Sequence, residues 1–284
     1  MDRTRRRNPL VATLDLSPRP GDVAGNLLLA EGAITEVWRA EPSLRWVVLP
    51  ELFTSGYADL GSVHRHAEDA ERGESARFFT SLTRRLGLCI AYGFPEKCRD
   101  SPSGSPGCVS DSANLVGPDG ILLTYRKKHL VQTTAEHHVF VPGTELSVVE
   151  AGGARVALVV CWDLGFPEVV REAALGGADL ILAPAGWRNP WGPQYGLVCA
   201  ARALDNAVYL ASANQLGVYP EANFDNPGGV YGPDGCCISR STDTGSVGEI
   251  DLGLPGRWRT SFGSTLHEPR GAWAAPRPPL EVYS

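Results

Sequence analysis

VALVVCWDLGFPE, residues 156–168, is an apolar run that ends in a thiol and turns at once into helix-forming sequence. Val156, Leu158, Val159 and Val160 read as a buried strand. Phe166-Pro167-Glu168 then opens PEVVREAAL, with proline at the start of a helix, where its missing N–H costs little. A thiol at such a junction meets free backbone N–H groups, which stabilise a thiolate and later an oxyanion. The competing reading is an inert core cysteine, since free Cys is among the most buried residue types. Two further segments decide against it.

In RWVVLPELFTSGYA (45–58), Trp46 to Leu49 read as a strand and Glu51 follows Pro50 at its end. A carboxylate there, beside Phe53 and Tyr57, is placed to be desolvated and to accept a proton near neutral pH. GILLTYRKKHL (120–130) is a strand, Ile121 to Tyr125, that delivers Arg126, Lys127, Lys128 and His129. Such a run is ordinarily a solvated basic turn. Here Tyr125 and Leu130 bracket it, so one lysine turned inward can offer its ammonium to a developing oxyanion.

A Glu, a Lys and a Cys at successive strand ends resemble the nitrilase, or carbon–nitrogen hydrolase, superfamily. The matching stretches are LPELFTSGY around Glu51, YRKKHL around Lys127 and VVCWDLGFPE around Cys161. EHHVFVPG (136–143) matches the segment that brings a second glutamate, here Glu136, and the likeness continues through GADLILAPAGW, ARALDNAVYLASANQ and VYGPDG. The resemblance implies an α/β fold, a four-layer α-β-β-α sandwich of two mixed sheets flanked by helices, commonly assembled as a homodimer or higher oligomer. It implies an amidase-type thiol hydrolase acting on a small amide or carbamoyl compound, with Glu51, Lys127 and Cys161 catalytic. Glu136 and the backbone N–H of Trp162 would support them, and neither cofactor nor metal would be required. Nitrile hydrolysis is the nearest alternative, though CWD together with YRKKHL favours the amide; a non-catalytic scaffold would be expected to lack one of the three residues. The chain departs from the family at Asp111, where relatives usually carry Asn before the Ser, at Trp162, where many amidases carry Tyr, and in a loosely matching C-terminal stretch.

Composition agrees with one enzymatic domain: 284 residues with 43% hydrophobic content can bury a large core. A net charge of −6 argues against a nucleic-acid partner. No apolar run reaches the length of a membrane span, and the basic start, MDRTRRRNPL, lacks a signal peptide's apolar stretch. Residues 1–8 therefore read as a loose basic tail, 9–265 as the hydrolase domain, and 266–284 as a proline-rich tail lying across a surface or subunit boundary. Seven cysteines without C-x-x-C pairs or zinc-spaced histidines fit a reducing cytoplasm. Cys98 and Cys108 flank a Ser/Pro/Gly-rich loop, FPEKCRDSPSGSPGCVSDS, and are expected to be reduced. Cys236 and Cys237 are expected to alternate across a strand, one in and one out.

Helices are expected near 25–38, over 74–87 with Phe78, Leu82 and Leu86 on one face, and near 195–206. Hairpins are expected at Pro118-Asp119-Gly120 and at Gly232-Pro233-Asp234-Gly235. Candidate pocket residues are Tyr57, His137, Trp187, Arg188 and Trp191, aromatic or basic groups near the expected strand ends. Asp163 is expected to cap the following helix or to tie down the turn after Cys161, His129 to be a hydrogen-bonded structural histidine, and Arg202 to pair with a carboxylate inside the fold.

Overall fold

A computed structural model describes residues 8–57, 60–98, 108–220 and 222–260. The chain runs β1 (Leu10–Leu14), α1 (Val23–Ala40), β2 (Leu44–Val48), α2 (Glu74–Leu86), β3 (Cys89–Lys97), β4 (Val109–Gly117) and β5 (Gly120–Arg126). It continues through α3 (Glu136–Val139), β6 (Val148–Ala151), β7 (Ala154–Leu158), α4 (Pro167–Leu175), β8 (Leu180–Ala185), α5 (Gly192–Asn206) and β9 (Tyr209–Asn214). Five short strands and a last helix follow: β10 (Gly217–Tyr219), β11 (Ala222–Phe224), β12 (Gly229–Tyr231), β13 (Arg240–Thr242), β14 (Gly245–Glu249) and α6 (Leu254–Arg259).

Two mixed sheets carry the fold, in the orders β13-β14-β1-β2-β3-β4-β5 and β12-β9-β8-β7-β6. β1, β2 and β3 run parallel, as do β7, β8 and β9, with antiparallel strands at the edges. Side chains alternate across a strand, and here both faces are covered. Val11, Trp46, Val48, Cys89 and Ala91 join one buried cluster with Leu158, Leu182 and Ala211 of the other sheet. Their neighbours Ala12, Leu14, Val47, Leu49, Ile90 and Tyr92 join a second cluster with Leu27, Ile34 and Val37 of α1 and Phe79 and Leu82 of α2. This two-sided burial gives the α-β-β-α sandwich and explains why the strands read as unbroken apolar runs. The Trp46 indole, fully buried, donates to the Ala151 carbonyl at 3.1 Å and so ties the sheets together.

Local chemistry sets the helix ends. The Asp22 side chain accepts from the Gly25 N–H at 2.9 Å and caps α1. Gly87, at φ +69°, ends α2 in the left-handed conformation that only glycine adopts cheaply. On α2 the buried face is led by Phe79 and Leu82, whereas Phe78 and Leu86 are partly covered.

Several expectations need correction. FPEK and VSDS belong to strands, because β3 and β4 pair as far as Lys97–Val109. That register sets Cys98 opposite Cys108, with Cα atoms 5.3 Å apart and a disulfide between them. Cys236 and Cys237 are both exposed, because only Tyr231 and Cys237 bridge there and no two-sided strand forms. The turn at Gly232 to Gly235 exists, closed by the Gly235 N–H on the Gly232 carbonyl at 2.8 Å; however, β13 pairs with β14, making a separate hairpin. The proline-rich tail and residues 1–7 of the basic tail lie outside the described residues. No helix among the described residues is long and apolar enough to cross a membrane.

Candidate active site

The carboxyl ends of β2, β5, β7 and β8 meet at one edge of the two sheets, the place where open α/β sheets leave a crevice. Glu51 follows β2 and is fully buried. Its N–H donates to the Ala185 carbonyl at 3.2 Å, which fastens the segment to the opposite sheet. A Cβ on Gly93 would sit 2.4 Å from the Leu52 nitrogen and 2.7 Å from Glu51 Cα, so only glycine lets β3 pass beneath this loop.

Lys127 follows β5, and its N–H donates to the Asp111 carbonyl at 2.9 Å. Its side chain is sealed from solvent. The ammonium donates to Glu51 Oε1 at 2.6 Å and to Glu136 Oε2 at 2.8 Å, and Asp111 Oδ2 lies 3.4 Å away. Burial opposes a charged lysine, but Glu51, Glu136 and Asp111 together hold its pKa well above the ordinary value. Lys128, by contrast, points outward and donates to Glu172 at 2.8 Å. Glu136 opens α3 and also accepts from the Val131 N–H at 3.0 Å and from the Tyr57 hydroxyl.

Cys161 leaves β7 through Val159 and Val160 and begins a 3₁₀ turn, Cys161–Gly165, before α4 starts at Pro167. Its φ of +43° is strained for a residue with a Cβ. Asp163 holds that turn. It accepts from the Val160 N–H at 3.3 Å, the His129 N–H at 2.9 Å and the Tyr125 hydroxyl at 2.8 Å, and its Oδ1 lies 2.9 Å from His129 Nδ1. His129 also stacks on Phe166, with centroids 3.7 Å apart. Burial pushes the Cys161 thiol well up, and the Glu51 charge adds to the push against the opposing pull of Lys127 and the Gly186 N–H. At rest, therefore, the sulfur keeps its proton and needs a base to remove it. Glycine at 186 makes room for Glu51: a Cβ there would lie 2.8 Å from its Oε2.

With a thiol, a carboxylate and an ammonium sealed together, comparison with known proteins becomes informative. Residues 10–260 match the model of the carbon-nitrogen hydrolase family. The chain belongs to that family. A probable nitrilase from Schizosaccharomyces pombe is 33% identical over 80% of this chain and 82% of its own length. A 2-oxoglutaramate amidase from Bacillus subtilis is 30% identical over 72% of this chain and 78% of its own. Among solved structures, an amidase from Nesterenkonia sp. superposes with a TM-score of 0.78 at 26% identity, covering 95% of this chain and 96% of that one. The family assignment makes this a hydrolase of carbon–nitrogen bonds.

In this carbon–nitrogen hydrolase a cavity of about 240 Å³ reaches Cys161. Tyr57, Trp162, Trp187, Arg188 and Trp191 line it, together with Thr133, Thr134 and Gly186. Trp187 is fixed by its indole N–H on the Trp191 carbonyl at 2.8 Å and its backbone N–H on Asn214 Oδ1 at 2.6 Å. The Arg188 guanidinium lies over the Trp191 ring, 5.5 Å from its centroid. A larger cleft of about 770 Å³, between Asn8, Glu41 and Arg240, holds none of these groups, so size alone does not mark the site.

Of the pocket residues expected from sequence, four line this cavity and His137 does not; its ring packs on His138, 3.6 Å between centroids. Arg202 also differs from expectation. It donates inward to the Leu164 and Gly165 carbonyls, at 2.9 and 3.4 Å, bracing the turn after Cys161, and its carboxylate partner, Asp205, is exposed on its own helix. Sequence reasoning missed the two threonines and placed Asp111 only near the site. The signal for Asp111 was its acidic side chain at a position where the family carries an amide.

Proposed function

We propose that the chain is a cofactor-independent amidase that hydrolyses a small amide or carbamoyl compound through a thioester on Cys161. The observation that carries this reading is the sealed contact of Lys127 with Glu51 at 2.6 Å beside the neutral Cys161 thiol. Glu51 takes the thiol proton as sulfur bonds to the carbonyl carbon, and the carbonyl electron pair moves onto oxygen. Lys127 and the Trp162 backbone N–H stabilise that oxyanion. Collapse breaks the C–N bond, Glu51 returns the proton to the departing ammonia or amine, and a thioester remains. Glu51 then takes a proton from water, which adds to the thioester; collapse frees the acid and the thiol. Glu136, hydrogen-bonded to the Lys127 ammonium at 2.8 Å, keeps the lysine aimed.

Likeness to the Bacillus subtilis amidase and the Nesterenkonia amidase supports the amide over the nitrile. The small cavity with aromatic walls supports a compact substrate with an apolar portion. Nitrile hydrolysis stays as the second reading because a Pyrococcus abyssi relative named nitrilase is 33% identical over 86% of this chain. A panel of small amides, carbamoyl amines and nitriles, assayed for ammonia release, separates the two. Cys161→Ala is expected to abolish release while leaving thermal unfolding cooperative; turnover retained in that variant sinks the thiol mechanism.

A further inference from the structure

Three carboxylates surround one ammonium. Glu51 comes from the end of β2, Glu136 from α3 and Asp111 from β4, and all three approach the Lys127 ammonium, at 2.6, 2.8 and 3.4 Å. All are sealed from water, Asp111 at 1% exposure. Were all ionised, the cluster would hold three negative charges against one positive charge, a balance that a water-free site does not sustain. Hydrogen bonding identifies the excess. Glu136 is fully engaged by Tyr57, Lys127 and Val131. Neither Asp111 oxygen, nor Glu51 Oε2, has a hydrogen-bond donor among the described residues. The Asp111 and Glu51 carboxyls come together on the one ammonium, 3.4 and 2.6 Å from it, a contact in which each keeps an unpartnered oxygen. Two ionised carboxylates are acceptors only, so the contact becomes a bond only when one carries a proton.

We propose that Asp111 is a positioning residue that stores the site's resting proton: neutral in the working enzyme, it donates a hydrogen bond to Glu51, holds that carboxylate against Lys127 and Cys161, and disables the site when the proton is lost. Glu51 cannot be the resting holder, because the amidase reading on which this inference rests needs it free to take the Cys161 proton. Burial favours the neutral form of Asp111, and the Glu51 charge adds to that, with Lys127 opposing. Within β4 the flanking Ser110 and Ser112 are uncharged, and the register partner on β3 is Pro95. No other charge therefore enters from those strands beside it: Glu96 is already bound by Ser112 at 2.8 Å and Arg126 at 2.6 Å. Ionised Asp111 would compete for Lys127 and set a further negative charge against both the Cys161 thiolate and the substrate oxyanion.

Asp111→Asn tests this, because the amide has nearly the same shape, donates the same bond and cannot ionise. The first readout is the net charge of the folded full chain near pH 7, compared by native electrophoresis. Equal mobility is expected, and a variant more positive by one charge overturns the proposal. The second is the pH profile of Cys161 carboxamidomethylation by iodoacetamide, followed on its own peptide. The ratio of variant to wild-type rate should rise with pH and reach at least about tenfold once Asp111 has lost its proton, the effect of a one-unit shift in the thiol. Parallel profiles overturn the proposal even when the charges match. A Cys161 that stays inert in both proteins while the exposed Cys236 reacts would instead sink the thiol-hydrolase reading, and the charge comparison would still judge Asp111. Should the variant not fold, wild-type protein labelled with 13C at aspartate carboxyls decides the matter: an Asp111 resonance at the ionised position near neutral pH overturns the assignment, and one at the protonated position supports it.

Discussion

Asp15 and Glu51 follow neighbouring parallel strands, β1 and β2, and both are buried, yet they do different work. Asp15 Oδ1 accepts from two backbone N–H groups, Asn214 at 2.8 Å and Gly228 at 2.9 Å, and so latches the first sheet to the second. Glu51 instead meets an ammonium at 2.6 Å, and its charge acts on the Cys161 thiol. Burial pushes the Asp15 carboxyl up to about 7, with the two N–H donors only partly restraining it. Sealing a carboxylate is therefore not enough to make a site. Asp15, left with dipoles, drifts toward the neutral acid, whereas Glu51 faces a buried cation.

The largest test of that contrast is Lys127→Gln. It leaves the buried carboxylates without their shared cation, and breaking such a pair costs about 3–5 kcal/mol. We expect a marked fall in the thermal midpoint together with a loss of turnover of at least about a hundredfold, the scale of one lost oxyanion donor. Wild-type stability in this variant would mean that the cluster carries little charge, and the contrast with Asp15 would collapse. Glu51→Gln is next. The amide keeps an oxygen for Lys127 but cannot take a proton, so kcat should fall about 10²- to 10⁴-fold while the fold survives. Unfolding followed by circular dichroism checks the second half. Turnover near wild type would make Glu51 a latch like Asp15.

How much of this could be read from the chain follows from the same physics. Glu51, Cys161 and one inward lysine of the RKKH run were legible because each ends an apolar strand, where a polar side chain has no business in the core unless it meets a partner; that the lysine is Lys127 came through resemblance. The sandwich was legible only through resemblance: Val47 and Val48 look alike in sequence, and nothing in them says that one faces α1 and the other the second sheet. Asp111 was harder still, since VSDS reads as the end of a Ser/Pro/Gly-rich loop, whereas β4 runs through it and is buried along its length. The Cys98–Cys108 bridge depends on a strand register extending to Lys97 and Val109, through residues that look like loop. His137 follows Glu136 within the short helix α3, and one residue along a helix turns the side chain about 100° away. Local pattern thus located the groups at strand ends, and register and helical phase, which sequence shows weakly, decided the rest.

Asp15→Asn supplies the complementary break. The folded carboxyl is raised to about 7 from an ordinary 3.8, so the sign of its linkage is the reverse of a salt-bridged aspartate. Below about pH 4 both folded and unfolded chains are protonated there and the residue contributes no pH dependence. As pH rises toward 7 the unfolded chain releases the proton and the folded one retains it. Stability is lost at about 1.4 kcal/mol per pH unit, up to about 4 kcal/mol in all, and the loss levels off once the folded carboxyl also ionises. Asparagine keeps the oxygen that Asn214 and Gly228 bind and has no proton to lose. The stability difference between variant and wild type should therefore grow from pH 4 to pH 7 and then stay constant, measured by denaturant unfolding across that range. Turnover should remain at the wild-type level throughout, because Asp15 touches none of the groups around Cys161. A difference that is flat with pH would mean Asp15 is already ionised in the folded chain, held by its two N–H donors alone. Burial would then fail to separate it from Glu51, and the cation would no longer be what distinguishes the two strand ends.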